Sequence, residues 1–461
     1  MDRAMRDLSG KRVTVMGLGR FGGGIGVTRY LVSRGADVLV TDLEPAEKLA
    51  ASVERIGDLV ASGRVTLRLG EHNVSDFTTC DCVVANPAVP RPWENRYLRA
   101  AGAAAVPILT EIELALAEIP GDACVVAITG SAGKSTTSAL IHHILSELGQ
   151  RVHLGGNIGG SLLESIAEIR DTDTVVLELS SFQLHWIGAA ASAARFRVAV
   201  ITNIEANHLD WHGTFEHYRS SKLVLLGRQR EGDTAILGPG LKDCTTARGV
   251  RRIDIPEGAT VSGLLIPGAH NELNAAVAIE ACRAVVESRH RGLFDENRAI
   301  AAARTFAGLP HRLHHVGTIG GIRFYDDSKS TTPHATLLAL GAFPIERETG
   351  RIHLIVGGYD KGQDLAPLVL STMDVKGLYT IGVTGERIAS AAGAGCHPNG
   401  RVYPCGTLDR AIATIAERAI EGDVVLLSPG CASWDQFENY EQRGSVYASL
   451  VRAIFGEDVT T

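Results

Sequence analysis

The chain has 461 residues, a formal net charge of −7 at pH 7 and a charged-residue content of 21%. This length predicts about three domains of roughly 150 residues each. The negative charge gives a nucleic-acid partner no global support, and no apolar run approaches the roughly 20 residues of a membrane span. Scattered cysteines and the lack of an apolar leader segment at the start favour a cytoplasmic protein with reduced thiols. We therefore expect a cytoplasmic monomer without nucleic-acid or membrane partners.

The first segment carries a nucleotide-binding fingerprint. A strand at 12–16 runs into the glycine-rich turn 17–24, a helical pattern follows, and a second strand ends at Asp42. This matches G-x-G-x-x-G with an acidic residue about 20 positions on. The fingerprint leaves open a dinucleotide, a mononucleotide sugar or no ligand at all.

The stretch 125–137 predicts a phosphate-binding loop at the start of a second domain near 110. An apolar strand leads into a glycine-rich turn, Lys134, Ser135 and a helix with one apolar side. Backbone N–H groups and the helix N-terminus would hold phosphate, Lys134 would reach the β/γ-phosphates, and Ser135 would ligate Mg²⁺. The strict pattern fails because residue 128 is Ile, so an ordinary glycine-rich turn is the alternative. The predicted loop residues are Gly130, Ser131, Ala132, Gly133, Lys134, Ser135 and Thr136.

Two further strands of this domain end in polar residues. One ends at Glu178, and the strand at 198–201 leads to His208. Ligands sit at the C-terminal edges of strands in open parallel sheets, so Lys134, Glu178 and His208 should converge. A carboxylate and an imidazole beside a triphosphate are reasonable Mg²⁺ ligands. A surface carboxylate is the alternative for Glu178, and His208 taken alone would be interpreted as an ordinary histidine.

Two helical positions are ambiguous from the residues alone. Lys222 lies on a helix starting near Thr214, where a solvated lysine is the default interpretation. The segment 270–274 opens an apolar helix at 275–286, and Asn271 and Asn274 share a face there. These amides would cap the helix or bind an adenine edge.

A third α/β domain is predicted beyond 308–312. Strands at 324–326, 352–356 and 424–427 are each followed by loops rich in hydroxyls, lysine or glycine. The matched positions of Lys329 and Lys361 at strand ends favour an anionic ligand over plain surface lysines. The histidines at 311, 314 and 315 lack the cysteine or carboxylate spacing of a zinc site.

An ordered set of motifs resembles the Mur ligase family over residues 12–451. They read TGSAGKSTT, GGNIGG, LELSSFQL, TNIEANHLDWHG, GAHNELN, GLPHR, DDSKSTT, GGYDKG and LSPGCASWDQFENYEQRG. The resemblance implies an α/β chain of three domains. These are a UDP-binding Rossmann-like domain at 1–109, a central P-loop ATPase with a mostly parallel sheet at 110–308, and a C-terminal Rossmann-like amino-acid domain at 309–461.

The resemblance also implies ATP-dependent, ADP-forming amide ligation through an acyl phosphate. Within the family it points to D-glutamate joining UDP-N-acetylmuramoyl-L-alanine in peptidoglycan precursor synthesis. The chemistry is reasonable because a carboxylate is a poor acceptor until phosphorylation gives it a good leaving group. Lys134 and Mg²⁺ would offset the repulsion between that carboxylate and the triphosphate.

Residue roles follow from the same resemblance. One Mg²⁺ would be held by Ser135 and Glu178, and a second by His208 and a carbamylated Lys222, which reverses the solvated interpretation of that lysine. The implied substrate contacts are Asn157 to the nucleotide-sugar peptide, Asn271 to adenine, Arg312 to the ATP phosphates, Gly19, Arg20, Phe21 and Asp42 to uridine diphosphate, and Lys329, Thr331, Lys361, Ser433, Trp434 and Tyr440 to glutamate.

Several positions depart from the family pattern. Asn207 stands where Asp is usual, Trp211 where Arg is common, 330–332 reads Ser-Thr-Thr, and the run 22–26 is unusually glycine-rich.

Three alternative functions remain: an NAD-dependent oxidoreductase, a nucleotide-driven binding switch without ligation, and a relative that adds another amino acid. The last includes L-glutamate and a folylpolyglutamate-type enzyme.

Overall fold

The computed structural model describes residues 8–19, 22–189, 195–289, 293–362, 364–371, 375–393 and 401–456. Within these ranges the chain forms three sheets with helices between most successive strands, which confirms the α/β class. The chain divides into two compact units. The first unit comprises Met1–Ala259 and Leu273–Ala303, and the second comprises Thr260–Glu272 and Arg304–Thr461.

The first sheet of the first unit is parallel, with strand order β3-β2-β1-β4-β5. Its strands are short apolar runs, as expected for a parallel sheet covered by helices. The elements are β1 (Arg12–Met16), α1 (Gly23–Ser33), β2 (Asp37–Asp42), α2 (Ala50–Glu54), α3 (Gly57–Ala61), β3 (Val65–Leu69), α4 (Val74–Thr78), β4 (Cys82–Ala85), α5 (Arg96–Ala103), β5 (Ile108–Leu109) and α6 (Glu111–Glu118).

The glycine run at 22–26 has a packing explanation. A Cβ at Gly24 would lie 2.2 Å from the carbonyl oxygen of Leu18, and a Cβ at Gly26 would lie 2.4 Å from Ser161. Glycine at these positions lets α1 approach the preceding turn and the segment that carries Ser161.

The second sheet, also in the first unit, is parallel with order β11-β10-β9-β6-β8-β7. Its central strands β8, β6 and β9 are adjacent, so the loops that follow them lie side by side. The elements are β6 (Cys124–Thr129), α7 (Lys134–Glu147), β7 (Val152–Gly156), α8 (Leu162–Ser165), β8 (Thr174–Glu178), α9 (Ser181–Ala189), β9 (Val198–Ile201), α10 (Leu209–His212), α11 (Phe215–Gly227), β10 (Thr234–Leu237), β11 (Arg251–Asp254), α12 (Ala269–Ser288) and α13 (Glu296–Arg304).

The third sheet lies in the second unit and has order β12-β13-β17-β14-β15-β16. It is mixed, because β12 runs antiparallel to β13 while the other pairs are parallel. The elements are β12 (His314–Ile319), β13 (Ile322–Asp326), α14 (Pro333–Gly341), α15 (Pro344–Glu348), β14 (Ile352–Gly357), α16 (Ala366–Ser371), β15 (Gly377–Ile381), α17 (Gly385–Gly393), β16 (Val402–Gly406), α18 (Leu408–Ala416), β17 (Val424–Leu427) and α19 (Tyr440–Phe455).

Both faces of the third sheet are buried. Leu354 and Leu426 join one apolar cluster, whereas their neighbours Ile355 and Leu427 join another. Successive strand residues point to opposite faces, so the two clusters lie on the two sides of the sheet. This explains why β14 and β17 are continuous apolar runs rather than alternating ones.

Element types agree with the sequence predictions, and some bounds differ. Helix α12 begins at Ala269, earlier than the predicted apolar stretch at 275–286, and α9 begins at Ser181 directly after β8. The domain bounds 1–109, 110–308 and 309–461 stay a prediction, although each predicted domain contains one of the three sheets. In the part of the chain that the structure describes, no helix combines the length and apolarity needed to cross a bilayer.

Candidate active site

The predicted phosphate loop is a tight turn between β6 and α7. Ile128 is a residue of β6, which explains why the strict loop pattern fails: the turn proper is only 130–133. Gly133 adopts φ +80° as the N-cap of α7, and a Cβ there would lie 2.5 Å from Asn274 Oδ1. Lys134 Nζ donates to the carbonyl oxygen of Ser131 at 3.2 Å, so the lysine folds back over the turn.

Glu178 closes the end of the neighbouring strand and is 1% exposed. Its Oε1 accepts a hydrogen bond from Asn157 Nδ2 at 3.0 Å, while the buried Oε2 has no hydrogen-bond partner among the described residues. A buried carboxylate oxygen without a donor is costly unless a cation or a ligand satisfies it. Glu178 therefore fits the hard-cation ligand that the sequence predicts.

Lys222 is buried at the same sheet edge, which corrects the default interpretation of a solvated helix lysine. It is 1% exposed, and its Nζ donates to the carbonyl oxygen of Gly130 at 2.7 Å. Burial, reinforced by the charge of Lys134 and partly opposed by Glu178, lowers the pKa of Lys222 to about 7. A substantial share of this amine is therefore uncharged at neutral pH.

His208 completes the cluster from the third adjacent strand end. It adopts φ +52° as the N-cap of α10, and its backbone N–H donates to Asn207 Oδ1 at 2.8 Å. Burial lowers the pKa of its imidazole, with Lys222 and Lys134 adding to the effect and Asp210 opposing it. The structure thus brings Lys134, Glu178 and His208 together, as the sheet-edge argument predicts, and it adds Lys222, which that argument did not include.

A cavity of about 270 Å³ lies beside this edge within the first unit. The first glycine-rich turn lines it through Gly17 and Gly19, and the second sheet contributes Asn157 and Gln183. Glu111 also lines the cavity, and burial raises the pKa of its carboxyl. Asn157 therefore faces the same space as the nucleotide-type fingerprint.

The carboxylate of Asp42 accepts hydrogen bonds from the backbone of its own domain. Its Oδ2 accepts from the backbone N–H of Gly19 at 3.0 Å, and its Oδ1 accepts from that of Glu44 at 2.9 Å. The carboxylate thereby fixes the turn that follows β1. Arg20 and Phe21, also predicted to contact the uridine diphosphate, lie outside the described residues.

The predicted amino-acid residues lie in the second unit, on loops and, for Tyr440, at the start of α19. Lys361 Nζ lies 4.7 Å from the ring centre of Trp434, which is 60% exposed, and Lys329 Nζ lies 5.3 Å from the ring centre of Tyr440. Both lysines sit over aromatic faces, an arrangement that holds a cation without neutralising it. Ser433 is buried beside Trp434 and Thr331 is half-buried after Lys329.

Two predicted nucleotide contacts also lie in the second unit. Asn271 is 6% exposed and donates from Nδ2 to the carbonyl oxygen of Pro267 at 2.7 Å. Arg312 is exposed. Burial and Glu441 raise the pKa of Tyr440 to about 12, and the charge of Arg312 opposes that shift. The contacts of both residues with the nucleotide stay predictions.

The sequence analysis missed Arg443, a fully buried side chain of α19. Its guanidinium donates to Ser328 Oγ at 2.9 Å and to the carbonyl oxygens of Ser328, Cys431 and Ala432 at 2.8–3.2 Å. It thereby ties the loop after β13 to the loop after β17. Burial lowers its pKa to about 10, and nearby Cys431, Asp435 and Asp326 oppose that shift. The motif that ends in Arg443 and Gly444 was the available signal.

Tyr218 and Asn203, near the phosphate turn, were also not predicted from the sequence. The hydroxyl of Tyr218 lies 2.7 Å from Ser131 Oγ, and the ring of Tyr218 lies 4.7 Å from Lys222 Nζ. Tyr218 precedes Lys222 by one helical turn, so the spacing on α11 was a usable signal. The side chain of Asn203 accepts hydrogen bonds from the backbone N–H groups of Ser131 and Ala132 in the phosphate turn.

Trp211, one of the departures, lies in an aromatic cluster. It is 3% exposed, stacks on Phe182 with ring centres 4.7 Å apart, and meets Trp93 edge-on at 5.6 Å. His185 and His217 pack against the same rings. Trp93 follows β4, so this cluster packs a loop of the first sheet against helices of the second.

Comparisons with known sequences support one family. The Mur ligase middle domain matches residues 128–251, and the Mur ligase, glutamate ligase domain matches residues 311–431. The UDP-N-acetylmuramoylalanine--D-glutamate ligase of Acidobacterium capsulatum is 37% identical, covering 97% of each chain. The enzyme of that name from Koribacter versatilis is 36% identical, covering 97% of this chain and 98% of its own.

Solved structures share the fold. The UDP-N-acetylmuramate-alanine ligase of Thermotoga maritima aligns with a TM-score of 0.56 at 19% identity, covering 96% of this chain and 99% of its own. A MurF ligase from the same organism, solved in complex with ADP, aligns with a TM-score of 0.50 at 18% identity, covering 97% and 96%.

Proposed function

The chain belongs to the Mur ligase family, and we propose that it joins D-glutamate to UDP-N-acetylmuramoyl-L-alanine with cleavage of ATP to ADP and phosphate. The proposal rests on full-length similarity to D-glutamate ligases at 36–37% identity. The structural observation that supports it most is the meeting of Lys134, Glu178 and the buried Lys222 at one sheet edge. The product is a peptidoglycan precursor, and we place the enzyme in the cytoplasm as a monomer.

The reaction activates one substrate carboxylate and then replaces its leaving group. The carboxylate of the nucleotide-sugar peptide takes the γ-phosphoryl group of ATP, and ADP is released. The amine of D-glutamate then attacks the carbonyl carbon of the acyl phosphate, a C–N bond forms, phosphate leaves, and the nitrogen loses a proton to give the amide. Lys134 offsets the negative charge that opposes the first step, and the N-terminus of α7 binds phosphate oxygens. Asn157 orients the nucleotide-sugar peptide from the cavity wall.

The residues at this edge fit two Mg²⁺ ions. Ser135 and Glu178 would hold one, and the orphaned Oε2 of Glu178 supports that assignment. His208 and a carbamylated Lys222 would hold the other. Bound there, Mg²⁺ neutralises part of the triphosphate charge. His208 is exposed, but partial desolvation of its imidazole favours the neutral form, which suits it to this role.

The burial of Lys222 supports the proposed carbamylation. An uncharged amine adds to carbon dioxide, forms an N–C bond and releases one proton, which leaves an anionic carbamate. The pKa of about 7 supplies the uncharged amine at neutral pH. The modification replaces a buried cation by oxygen ligands, which suit a hard metal.

The second unit supplies the amino-acid site. Lys329 and Lys361 offer cations for the carboxylates of D-glutamate, and Thr331 and Ser433 offer hydroxyls. Trp434 and Tyr440 shape the space beside the lysines. Arg312 and Asn271 complete the nucleotide contacts.

A phosphate-release assay tests this function. We expect full ATP turnover only with UDP-N-acetylmuramoyl-L-alanine and D-glutamate together, and little with L-glutamate. Omission of each substrate in turn is the control. ATP cleavage at the same rate without the sugar nucleotide would contradict ligation and would support a nucleotide-driven switch instead.

A further inference from the structure

Asn203, at the exit of β9, holds the front half of the phosphate turn. Its Oδ1 accepts from the backbone N–H of Ser131 at 3.1 Å and of Ala132 at 2.9 Å. Its Nδ2 donates to the carbonyl oxygen of Ala132 at 3.2 Å, and its own carbonyl oxygen accepts from Ser131 N–H at 3.0 Å. One residue therefore satisfies the donors that this half of the turn would otherwise offer to an anion.

The neighbours of Asn203 fasten the same half of the turn. Thr202 Oγ1 donates to the carbonyl oxygen of Ala132 at 2.6 Å, and the backbone N–H of Glu205 donates to Ser131 Oγ at 2.8 Å. A Cβ at Gly130 would lie only 1.9 Å from Thr202 Oγ1, so glycine is needed for this close approach. The segment 202–205 leads directly to His208.

We propose that Asn203 is a positioning residue that keeps the N–H groups of Ser131 and Ala132 out of phosphate binding and ties the turn to the segment carrying His208. This narrows the phosphate-binding loop predicted from the sequence, which included Ser131 and Ala132. Phosphate oxygens then bind at the first turn of α7, where the N–H groups of Ser135 and Thr136 have no intrahelical acceptor. This inference rests on the proposed function, because it concerns how that site takes ATP.

The geometry also defines the rival interpretation. The amide oxygen of Asn203 would then be a stand-in for a phosphate oxygen, displaced when nucleotide binds. The two interpretations predict opposite changes in nucleotide affinity when Asn203 is replaced. Removing a brace loosens the turn and weakens nucleotide binding, whereas removing a competitor strengthens it.

Calorimetric titration of the full chain with Mg·ADP measures whether the affinity falls or rises. We expect Asn203→Ala to weaken binding at least tenfold, and hydrogen exchange of the peptide containing 131–132 to accelerate in the nucleotide-free protein. Asn73→Ala, which removes an exposed N-cap amide of α4, is the matched control and should change neither. Equal or tighter binding by Asn203→Ala would overturn the proposal.

A crystal structure of the wild-type Mg·ADP complex decides the question if Asn203→Ala does not fold. We expect Asn203 Oδ1 to stay within hydrogen-bond distance of Ala132 N. A phosphate oxygen on the N–H groups of Ser131 and Ala132 would overturn the brace. Failure of the wild-type chain to bind Mg·ADP at all would instead contradict the proposed function, so the two failures are distinguishable.

Discussion

Lys222 in the first unit and Lys361 in the second each place their Nζ 4.7 Å from the centre of an aromatic ring, yet their surroundings differ. Lys222 is 1% exposed, sits over Tyr218 and donates to a backbone carbonyl. Lys361 is exposed and lies over Trp434, which is itself 60% exposed. The same ring contact therefore occurs in two different environments, one buried and one exposed.

The difference shows that burial, rather than the ring, sets the chemistry of the buried amine. Burial is the main cause that lowers the pKa of Lys222 to about 7, and the positive charge of Lys134 adds to it. A solvent-exposed lysine that lies over an aromatic ring can still bind an anionic group. We therefore expect a modified lysine in the first unit and a substrate-binding lysine in the second.

Replacement of Lys222 should have the largest effect. We expect Lys222→Ala to reduce phosphate release by about 10³-fold, the scale of losing one preorganised electrostatic group. Short carboxylic acids should restore part of the activity, because they return oxygen ligands to the vacated space. Lys242→Ala, at an exposed lysine of the same unit, is the control and should be fully active. A fully active Lys222→Ala enzyme would refute carbamylation and erase the contrast with Lys361.

Replacement of Lys361 should have a smaller and more selective effect. We expect Lys361→Ala to raise the KM for D-glutamate by about tenfold, roughly the value of one exposed charge contact to a carboxylate, with the KM for ATP little changed. Lys361→Arg should keep most of the affinity. Steady-state kinetics with each substrate varied in turn measures the split. A change confined to ATP would assign Lys361 to the nucleotide.

The smallest effect concerns pH and the aromatic cluster of the first unit. Burial and the neighbouring His217 lower the pKa of His185 to about 4 and that of His212 to about 3. In the unfolded chain both imidazoles take protons near pH 6.5, whereas the folded state resists protonation. The cluster therefore costs the first unit stability as pH falls from about 6.5 towards 4.

Thermal unfolding between pH 7 and pH 4.5 tests this expectation. Replacing His185 by Phe should flatten the decline in Tm with falling pH, because a group that cannot be protonated is substituted. His334→Gln, at an exposed histidine of the second unit, is the matched control. An unchanged pH dependence in His185→Phe would show that the cluster does not resist protonation.

The sequence predicted the parts of the fold that depend on local pattern. Apolar strands followed by glycine-rich turns indicated the parallel sheets, and polar strand ends predicted that Lys134, Glu178 and His208 would meet. The burial of Lys222 was not predictable from the helix alone, since a lysine on α11 is buried only through its packing against β6 and Tyr218. The family resemblance was needed to single it out.

Two features escaped prediction because their contacts are distant along the chain. Arg443 binds Ser328 and Cys431, and Asn203 binds Ser131, across sequence separations that no periodicity reveals. From the sequence, Trp211 was only a departure from a family pattern. The structure shows that its ring packs edge-on against Trp93, a contact between residues far apart in the chain. Local pattern predicts elements, whereas these pairings arise from the sheet order.

The buried guanidinium of Arg443 has a consequence for how substrate choice can change. Because one side chain fastens the loop after β13 and the loop after β17 to α19, neither loop can be remodelled alone without leaving buried carbonyl oxygens unsatisfied. An altered spacing between Lys329 on the first loop and Ser433 on the second would require coordinated changes in both loops and in the helix. Under the proposed function, selectivity for the incoming amino acid is a joint property of three chain segments, which makes its drift by single substitutions difficult.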